Sequence, residues 1–140
     1  MNILIVLFAL ISFDSFACKF RDKTDIENFS AAKKIFRAKI VATELTTEIH
    51  DGKKRDVVLV TYSLIESYKG VLPGNGIVKE FPYSSGNCML GLRTGKEYVI
   101  YTSEYDFVNR TNGSWGYSNP NGTAVLPKLE TLRELAKVGI

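Results

Sequence analysis

The strongest constraint on the fold is a two-residue alternation of apolar and polar side chains that begins at Ile35. The apolar positions share one face of an extended strand and are Phe36, Ala38, Ile40 and Ala42, opposite Arg37, Lys39 and Thr43. Asp51-Gly52 supplies a two-residue turn because both residues tolerate positive φ, and residues 57–68 continue as a second β-rich segment. The sequence therefore predicts a long antiparallel hairpin.

Shorter elements flank this hairpin on both sides. Residues 77–81 and 97–102 are predicted as the third and fourth strands, and the Asn- and Gly-rich residues 106–122 as a long loop with a short fifth strand. A capping box from Thr24 to Glu27 predicts a helix over residues 25–34. Pro127 suits the first turn of a final helix, whose apolar stripe comprises Leu129, Leu132, Leu135 and Ala136.

Four or five strands bracketed by two helices define the fold class that we expect. It is a mainly β domain, an OB-fold-like five-stranded Greek-key barrel with a short N-terminal helix and a C-terminal helix, formed by residues 18–140. A domain of this size can bury a sufficient core without a metal, and we expect no cofactor. The formal charge is +3 and no block of five like charges occurs, so we expect no nucleic-acid partner.

The N-terminal residues 1–17 have the features of a cleavable signal peptide. Residues 3–13 form an apolar run that is too short to cross a bilayer, and Ser15 and Ala17 place small side chains before a cleavage site at Cys18. We therefore expect an extracytoplasmic protein, secreted or periplasmic, without a transmembrane segment. A lipid anchor at Cys18 is not expected, because Ser15 stands where lipidation sites favour an aliphatic residue.

The chain has two cysteines, Cys18 and Cys88. An even pair in an exported domain is most simply a disulfide, and closing a loop of about 70 residues stabilises a fold by about 4 kcal/mol. A catalytic thiol and a metal site are the alternatives. Two cysteines and the single His50 cannot complete a four-ligand structural zinc site without carboxylates.

Several pieces of the chain, taken in order, form a pattern that resembles a known family. They are the mature Cys18, a short helix leading into Ile35-Phe36-Arg37-Ala38-Lys39-Ile40, the strand end Tyr68-Lys69-Gly70, and Cys88 followed by Leu92, Gly95 and Glu97-Tyr98-Val99-Ile100-Tyr101. Over about residues 18–104 the chain resembles the netrin-like domain, whose fold is shared with the tissue inhibitors of metalloproteinases. The resemblance implies an OB-fold with Cys18 bonded to Cys88.

The resemblance also implies a mode of action. In the inhibitor branch, the α-amine and carbonyl of the first cysteine chelate the catalytic zinc of a metalloprotease, so Cys18 would be a zinc ligand in trans and Cys18, Lys19 and Phe20 a protease-contact ridge. The inhibitors begin Cys-x-Cys with a small hydroxyl residue second, whereas this chain has Lys19 there. Burying that charge in an apolar pocket costs several kcal/mol, so a protease with an acidic pocket fits better.

We therefore predict an exported, non-enzymatic binding module with a protein partner, a zinc metalloprotease being one candidate. An oligonucleotide or oligosaccharide binder is an alternative, in which Tyr62, Tyr68, Tyr98, Tyr101 and Trp115 stack on the ligand. A small secreted enzyme, with His50 beside Asp51, is another. Glycosylation-acceptor patterns occur at Asn28, Asn109, Asn112 and Asn121.

Overall fold

A computed structural model describes residues 23–84, 87–117 and 125–139. The protein is mainly β, with one five-stranded antiparallel sheet in the order β3-β2-β1-β4-β5 and a helix near each end of the chain. The elements are α1 (Asp25–Ala31), β1 (Lys34–His50), β2 (Lys53–Lys69), β3 (Asn75–Glu80), β4 (Glu97–Thr102), β5 (Trp115–Gly116) and α2 (Leu126–Val138). This arrangement confirms the predicted mainly β class with its two helices.

The first helix begins at the predicted capping box and ends earlier than predicted. Thr24 Oγ1 accepts a hydrogen bond from the Glu27 backbone at 3.2 Å, and the Glu27 carboxylate accepts one from the Thr24 backbone at 2.8 Å. The prediction that the helix continues to residue 34 was wrong. Ala32 is extended, and the Lys33 N–H donates to the carbonyl of Thr102, so this part of the chain already pairs with the end of β4.

The predicted hairpin forms, with an irregularity that changes which side chains reach the core. Asp51 and Gly52 have φ values of 50° and 72°, as a two-residue hairpin turn requires. The β1–β2 register shifts between Ile40 and Ala42, which makes Val41 an extra residue. Ile40 is buried but Ala42 is exposed, so the prediction that both lie on the core face was wrong.

Buried side chains pack on both faces of the sheet. One cluster comprises Phe36, Ala38, Ile40, Val60, Tyr62, Val78, Leu92, Tyr98, Ile100 and Val108. The other cluster includes both helices and comprises Phe29, Ala32, Ile35, Tyr68, Val99, Tyr101, Val125, Leu129 and Leu132. The apolar stripe predicted for the final helix therefore faces the sheet, and burial of each large apolar side chain stabilises the fold by about 1.5–3 kcal/mol.

An ion pair fastens α2 to the sheet beside the second cluster. Arg133 donates two hydrogen bonds to Glu66 of β2, at 2.7 and 2.9 Å, and the Tyr68 hydroxyl donates to the same carboxylate at 2.9 Å. The hydrogen bonds from Arg133 are the main reason that the pKa of Glu66 is lowered. The final helix is thus held by a directional contact as well as by apolar packing.

The chain that follows β4 returns along the outer edge of β3. The Lys79 N–H donates to the Asp106 carbonyl at 2.9 Å, and the Val108 N–H donates to the Lys79 carbonyl at 2.8 Å. Lys79 and Phe107 form a parallel bridge. This contact links the strand at one end of the sheet to the segment after the fourth strand.

Candidate functional site

The most exposed backbone of the sheet lies on the distal half of β1. Residues 34–39 of β1 pair with β4, whereas β2 accompanies β1 as far as His50. Ile40 makes the last contacts on the β4 side, where its N–H donates to Lys96 and its carbonyl accepts from Gly95. Within the described parts of the chain, residues 41–50 therefore have a free edge.

The turn determines which backbone groups point toward this free edge. In a two-residue hairpin turn the carbonyl of His50 accepts a hydrogen bond from the N–H of Lys53. The backbone N–H and C=O groups of His50 therefore point toward β2. Backbone groups in an antiparallel pair alternate in direction from one residue to the next. The N–H and C=O groups of Thr43, Leu45, Thr47 and Ile49 therefore point away from β2.

Apolar side chains accompany these unpaired backbone groups. Leu45 is 65% exposed and Ile49 is 75% exposed, and both lie on the same face of β1 because they are four residues apart in a strand. Thr47 lies between them, with its hydroxyl bonded to Asp56 of β2 at 3.3 Å. The free edge is therefore an unblocked, partly apolar strand, the form that pairs most readily with another strand.

The opposite face of the hairpin tip forms one wall of an open cleft of about 760 Å³. The His50 ring lies 5.4 Å from the ring of Phe81 and 5.2 Å from the ring of Phe107, and the two phenyl rings stack at 4.9 Å. Ile77 and Tyr105 contribute exposed apolar surface to the same region. An aromatic cluster thus joins the hairpin tip to β3 and to the segment after β4.

Two ion pairs hold the walls of this cleft. Lys79 of β3 contacts both carboxylate oxygens of Glu48, at 2.7 and 2.8 Å. Lys34 contacts Asp106 at 3.0 Å, and Asp106 has a positive φ of 58° that turns the chain toward β3. The charge of Glu48 is therefore balanced by Lys79. Glu44, which lies on the same face of β1, is exposed and has no ion-pair partner among the described residues.

Glu80, at the end of β3, is a buried carboxylate that sequence analysis missed. It is 2% exposed and accepts hydrogen bonds from the backbone N–H groups of Leu92 at 2.7 Å and Gly91 at 3.2 Å. Burial raises the pKa of Glu80, although these hydrogen bonds act in the opposite direction. Glu80 thereby fixes the loop before β4 against the first core cluster. Its alternation with Val78 is the sequence signal that could have placed it on the core face.

The sequence-predicted site residues at the N-terminus lie outside the described residues. These are the signal peptide, residues 1–17, and the ridge formed by Cys18, Lys19 and Phe20, so the cleavage site, the ridge and the zinc-binding backbone stay predictions. Cys88 lies in the loop before β4, with φ of 57°, and it is not a free thiol. Its pairing with Cys18 stays a prediction, because Cys18 is not described.

The aromatic residues on which the oligonucleotide alternative depends do not form a surface. Tyr62, Tyr68, Tyr98 and Tyr101 are all buried in the two core clusters. Trp115 is half-buried beside α2, where the Lys128 ammonium lies 5.5 Å from its ring. Base stacking needs accessible ring faces, so these tyrosines do not support that alternative.

The residues named for the enzyme alternative are part of the hairpin end. Asp51 is an exposed turn residue, and the His50 ring packs against the stacked rings of Phe81 and Phe107. Across the described ranges, no group of three or more His, Cys, Asp or Glu side chains could hold a metal ion. No helix within those ranges is long and apolar enough to span a membrane.

Comparisons with known proteins assign no family to this arrangement. No family model matches the sequence, and no curated protein matches it. The netrin-like resemblance therefore stays a prediction that rests on the sequence pattern.

Proposed function

We propose that this chain is an exported, non-enzymatic protein-binding module that accepts an extended segment of its partner along the free edge of β1. The observation that carries the proposal is the unpaired edge of residues 41–50, with Leu45 and Ile49 exposed beside it. Addition of a strand to such an edge supplies backbone hydrogen bonds for affinity and side-chain contacts for specificity.

The length and chemistry of the edge support a strand-shaped ligand. Ten residues exceed the usual strand length of about 5–6, so a whole strand can pair there. Natural proteins block exposed edges with lysine, proline, bulges or a covering loop. Within residues 41–50 there is no lysine, no proline and no covering segment from the described parts of the chain, and the bulge at Val41 lies at the start of the edge. This edge is left open in a way that favours a binding role.

The side chains beside the edge define the partner segment. Apolar side chains at alternate positions of the segment would pack on Leu45 and Ile49. On the opposite face, Glu44 is exposed and unpaired, so a basic side chain of the segment would be its favourable cross-strand neighbour. We therefore expect an extended segment that alternates apolar and basic or polar residues.

The fold that we propose to carry this edge is a closed netrin-like barrel of the OB type. The strand order β3-β2-β1-β4 and the parallel bridge between Lys79 and Phe107 support closure, because the bridge joins the two ends of that strand series. The distal hairpin extends beyond this barrel, where it can bind without disturbing the core.

Selection of peptides against the purified mature protein tests the binding proposal. The probe is a phage-displayed library of random linear peptides, and the variants are Ile49→Lys and Thr47→Pro. Thr47→Pro removes an N–H that points to the free edge and leaves the β1–β2 ladder intact. Val71→Lys is the matched control, because Val71 is 96% exposed in the loop after β2.

We expect the enriched peptides to alternate apolar residues and to bind both edge variants at least about tenfold more weakly than the parent and control, a difference of about 1.4 kcal/mol. Failure to enrich any peptide family, or equal binding to Ile49→Lys, would contradict the proposal. A dimer of this chain that both edge variants abolish would assign the edge to a second copy instead.

A narrower form of the proposal is inhibition of a zinc metalloprotease through the α-amine and carbonyl of Cys18. It is supported by the netrin-like sequence pattern and by the predicted cleavage before Cys18. The test compares inhibition of a panel of zinc metalloproteases by the native protein and by a form with one added alanine before Cys18. Inhibition by the native form alone is the expected result, and equal effects of both forms would exclude this mechanism.

A further inference from the structure

A second concave site lies between α1, α2 and the turn that precedes β5. It is a polar pocket of about 200 Å³ whose walls include Lys23, Arg110 and Lys128, together with one acid, Asp25. None of its lining residues belongs to the cleft at the hairpin tip. Its volume is below the range of about 300–1,000 Å³ for drug-sized ligands, so it suits a small one.

The three cations of this pocket form no close ion pair with a described carboxylate, although Lys23 interacts with Glu27 at longer range. The ion pairs in the described parts of the protein use other cations, namely Lys34, Arg37, Lys79, Arg133 and Lys137. Asp25 likewise takes part in none of these pairs. The described lining residues carry three positive charges and one negative charge, which gives them a positive potential that concentrates anions.

Tyr101 of β4 supplies an independent indication that the pocket binds a ligand. This residue is 3% exposed and lines the pocket, yet its hydroxyl makes no hydrogen bond to any described residue. Two other buried tyrosine hydroxyls are hydrogen-bonded, since Tyr68 donates to Glu66 and Tyr98 accepts from the Arg93 backbone, whereas the Tyr62 hydroxyl packs against Gly76. The hydroxyl oxygen is open to the pocket, so it can donate to a bound acceptor in place of water.

The environment of Tyr101 keeps it a hydrogen-bond donor. Burial, and secondly the nearby Asp25 carboxylate, raise the pKa of Tyr101, so the phenol stays protonated at neutral pH. Lys128 is positioned by the ring of Trp115, which its ammonium approaches to 5.5 Å. The pocket thus combines one neutral donor with three cationic donors, the set that suits a multiply charged oxyanion.

We propose that this pocket binds a tetrahedral oxyanion, phosphate or sulfate, through Lys23, Arg110, Lys128 and the Tyr101 hydroxyl. The ligand is either the free ion or the charged end of a small ester, since both present the same oxygens. Asp25 opposes binding and sets the affinity in a moderate range.

Calorimetric titration of the mature protein with sodium phosphate and with sodium sulfate tests the site, at an ionic strength held constant with sodium chloride. Glycerol phosphate is titrated in parallel, so that a free ion and an ester can be distinguished. Arg110→Gln and Lys128→Gln are each expected to weaken binding by about tenfold or more. Arg93→Gln is the matched control, because Arg93 is an exposed arginine outside the pocket, and it should bind as the parent does.

Two further variants separate ligand binding from a structural role. Tyr101→Phe should weaken oxyanion binding without lowering the unfolding temperature, because the hydroxyl has no protein partner to lose. Asp25→Asn should strengthen binding, because it removes the one negative charge among the described lining residues. Equal loss of affinity in Arg93→Gln and Arg110→Gln, or the same heat for chloride as for phosphate, would overturn the proposal. So would unchanged affinity in Tyr101→Phe together with unchanged affinity in Asp25→Asn.

Discussion

The ring of Tyr62 on β2 lies directly over Gly76 on β3, and a β-carbon at Gly76 would lie 2.5 Å from the tyrosine hydroxyl oxygen. Gly76→Ala should therefore destabilise the fold, by about 1–3 kcal/mol as for overpacked core positions. The measurement is urea unfolding of the parent and the variant. Gly74→Ala is the matched control, since a β-carbon there meets nothing within 4 Å. Equal loss of stability in both variants would contradict the steric explanation.

Glu80 should give the stability of the protein a measurable pH dependence. Because burial raises its pKa above the ordinary 4.5, the folded protein retains the proton at pH values where the unfolded chain has released it. The Glu80 contribution to the free energy of unfolding is therefore complete below the unfolded pKa and is lost as the pH rises through the folded pKa. Glu80→Gln cannot titrate and should lack this decrease.

Urea unfolding at a series of pH values from about 4 to about 7 measures the effect of Glu80. The glutamine also loses one acceptor for the N–H groups of Gly91 and Leu92, so the variant should be less stable than the parent by about 1–2 kcal/mol at the acid end, and this difference should shrink as the pH rises. Glu44→Gln, at an exposed position, controls for removal of a charge. A pH slope in Glu80→Gln that equals the parent slope would show that Glu80 is not the titrating group.

The contact between Arg133 and Glu66 should produce the opposite pH dependence. The hydrogen bonds from Arg133 lower the pKa of Glu66, so their contribution to stability is present above the unfolded pKa and is lost as the pH falls through the folded pKa. Arg133→Gln should lower the unfolding temperature at neutral pH and should match the parent in acid. Lys137→Gln is the control, because its ion pair with Glu134 stays within α2. Parallel curves for parent and Arg133→Gln would contradict this assignment.

The intact mass of the native exported protein tests the N-terminal predictions together. The expected mass corresponds to a chain that begins at Cys18 without a lipid. The oxidised form should be lighter than the reduced form by two hydrogens, as one disulfide between Cys18 and Cys88 requires. Cys88→Ser should then be less stable, by about 4 kcal/mol on the loop-entropy account. Equal masses before and after reduction would exclude the disulfide.

The sequence predicted best those elements whose boundaries are set locally. The fourth strand was predicted at its observed bounds, residues 97–102, because a short run of apolar, β-prone residues directly follows the turn at Gly95. The first helix was predicted three residues too long, because its end depends on the pairing of Lys33 with Thr102, far along the chain. Contacts between distant residues are not encoded in a local pattern.

The free edge of β1 illustrates the same limit at the candidate site. The Val41 bulge reverses the faces of the strand beyond it, and no residue type near Val41 signals that change. The edge is open because the two strands differ in length, with 17 residues in β1 and 6 in β4. The sequence patterns predict each strand separately and do not predict which part of β1 is left without a partner. The partners of Glu80 lie more than ten residues away, so only its core-facing position could have been inferred.

The docking of residues 106–108 on β3 has a consequence for stoichiometry. Lys79 uses its outward backbone groups to hold that segment, and β5 is two residues long, so neither end of the sheet offers a strand-length opening within the described ranges. A strand-length segment can therefore add along residues 41–50 of β1. Among the described residues, the outer side of β2 at residues 53–57 is also unpaired, but Lys53, Lys54 and Arg55 oppose strand addition there. A complex should therefore saturate at one segment bound directly to β1 per molecule.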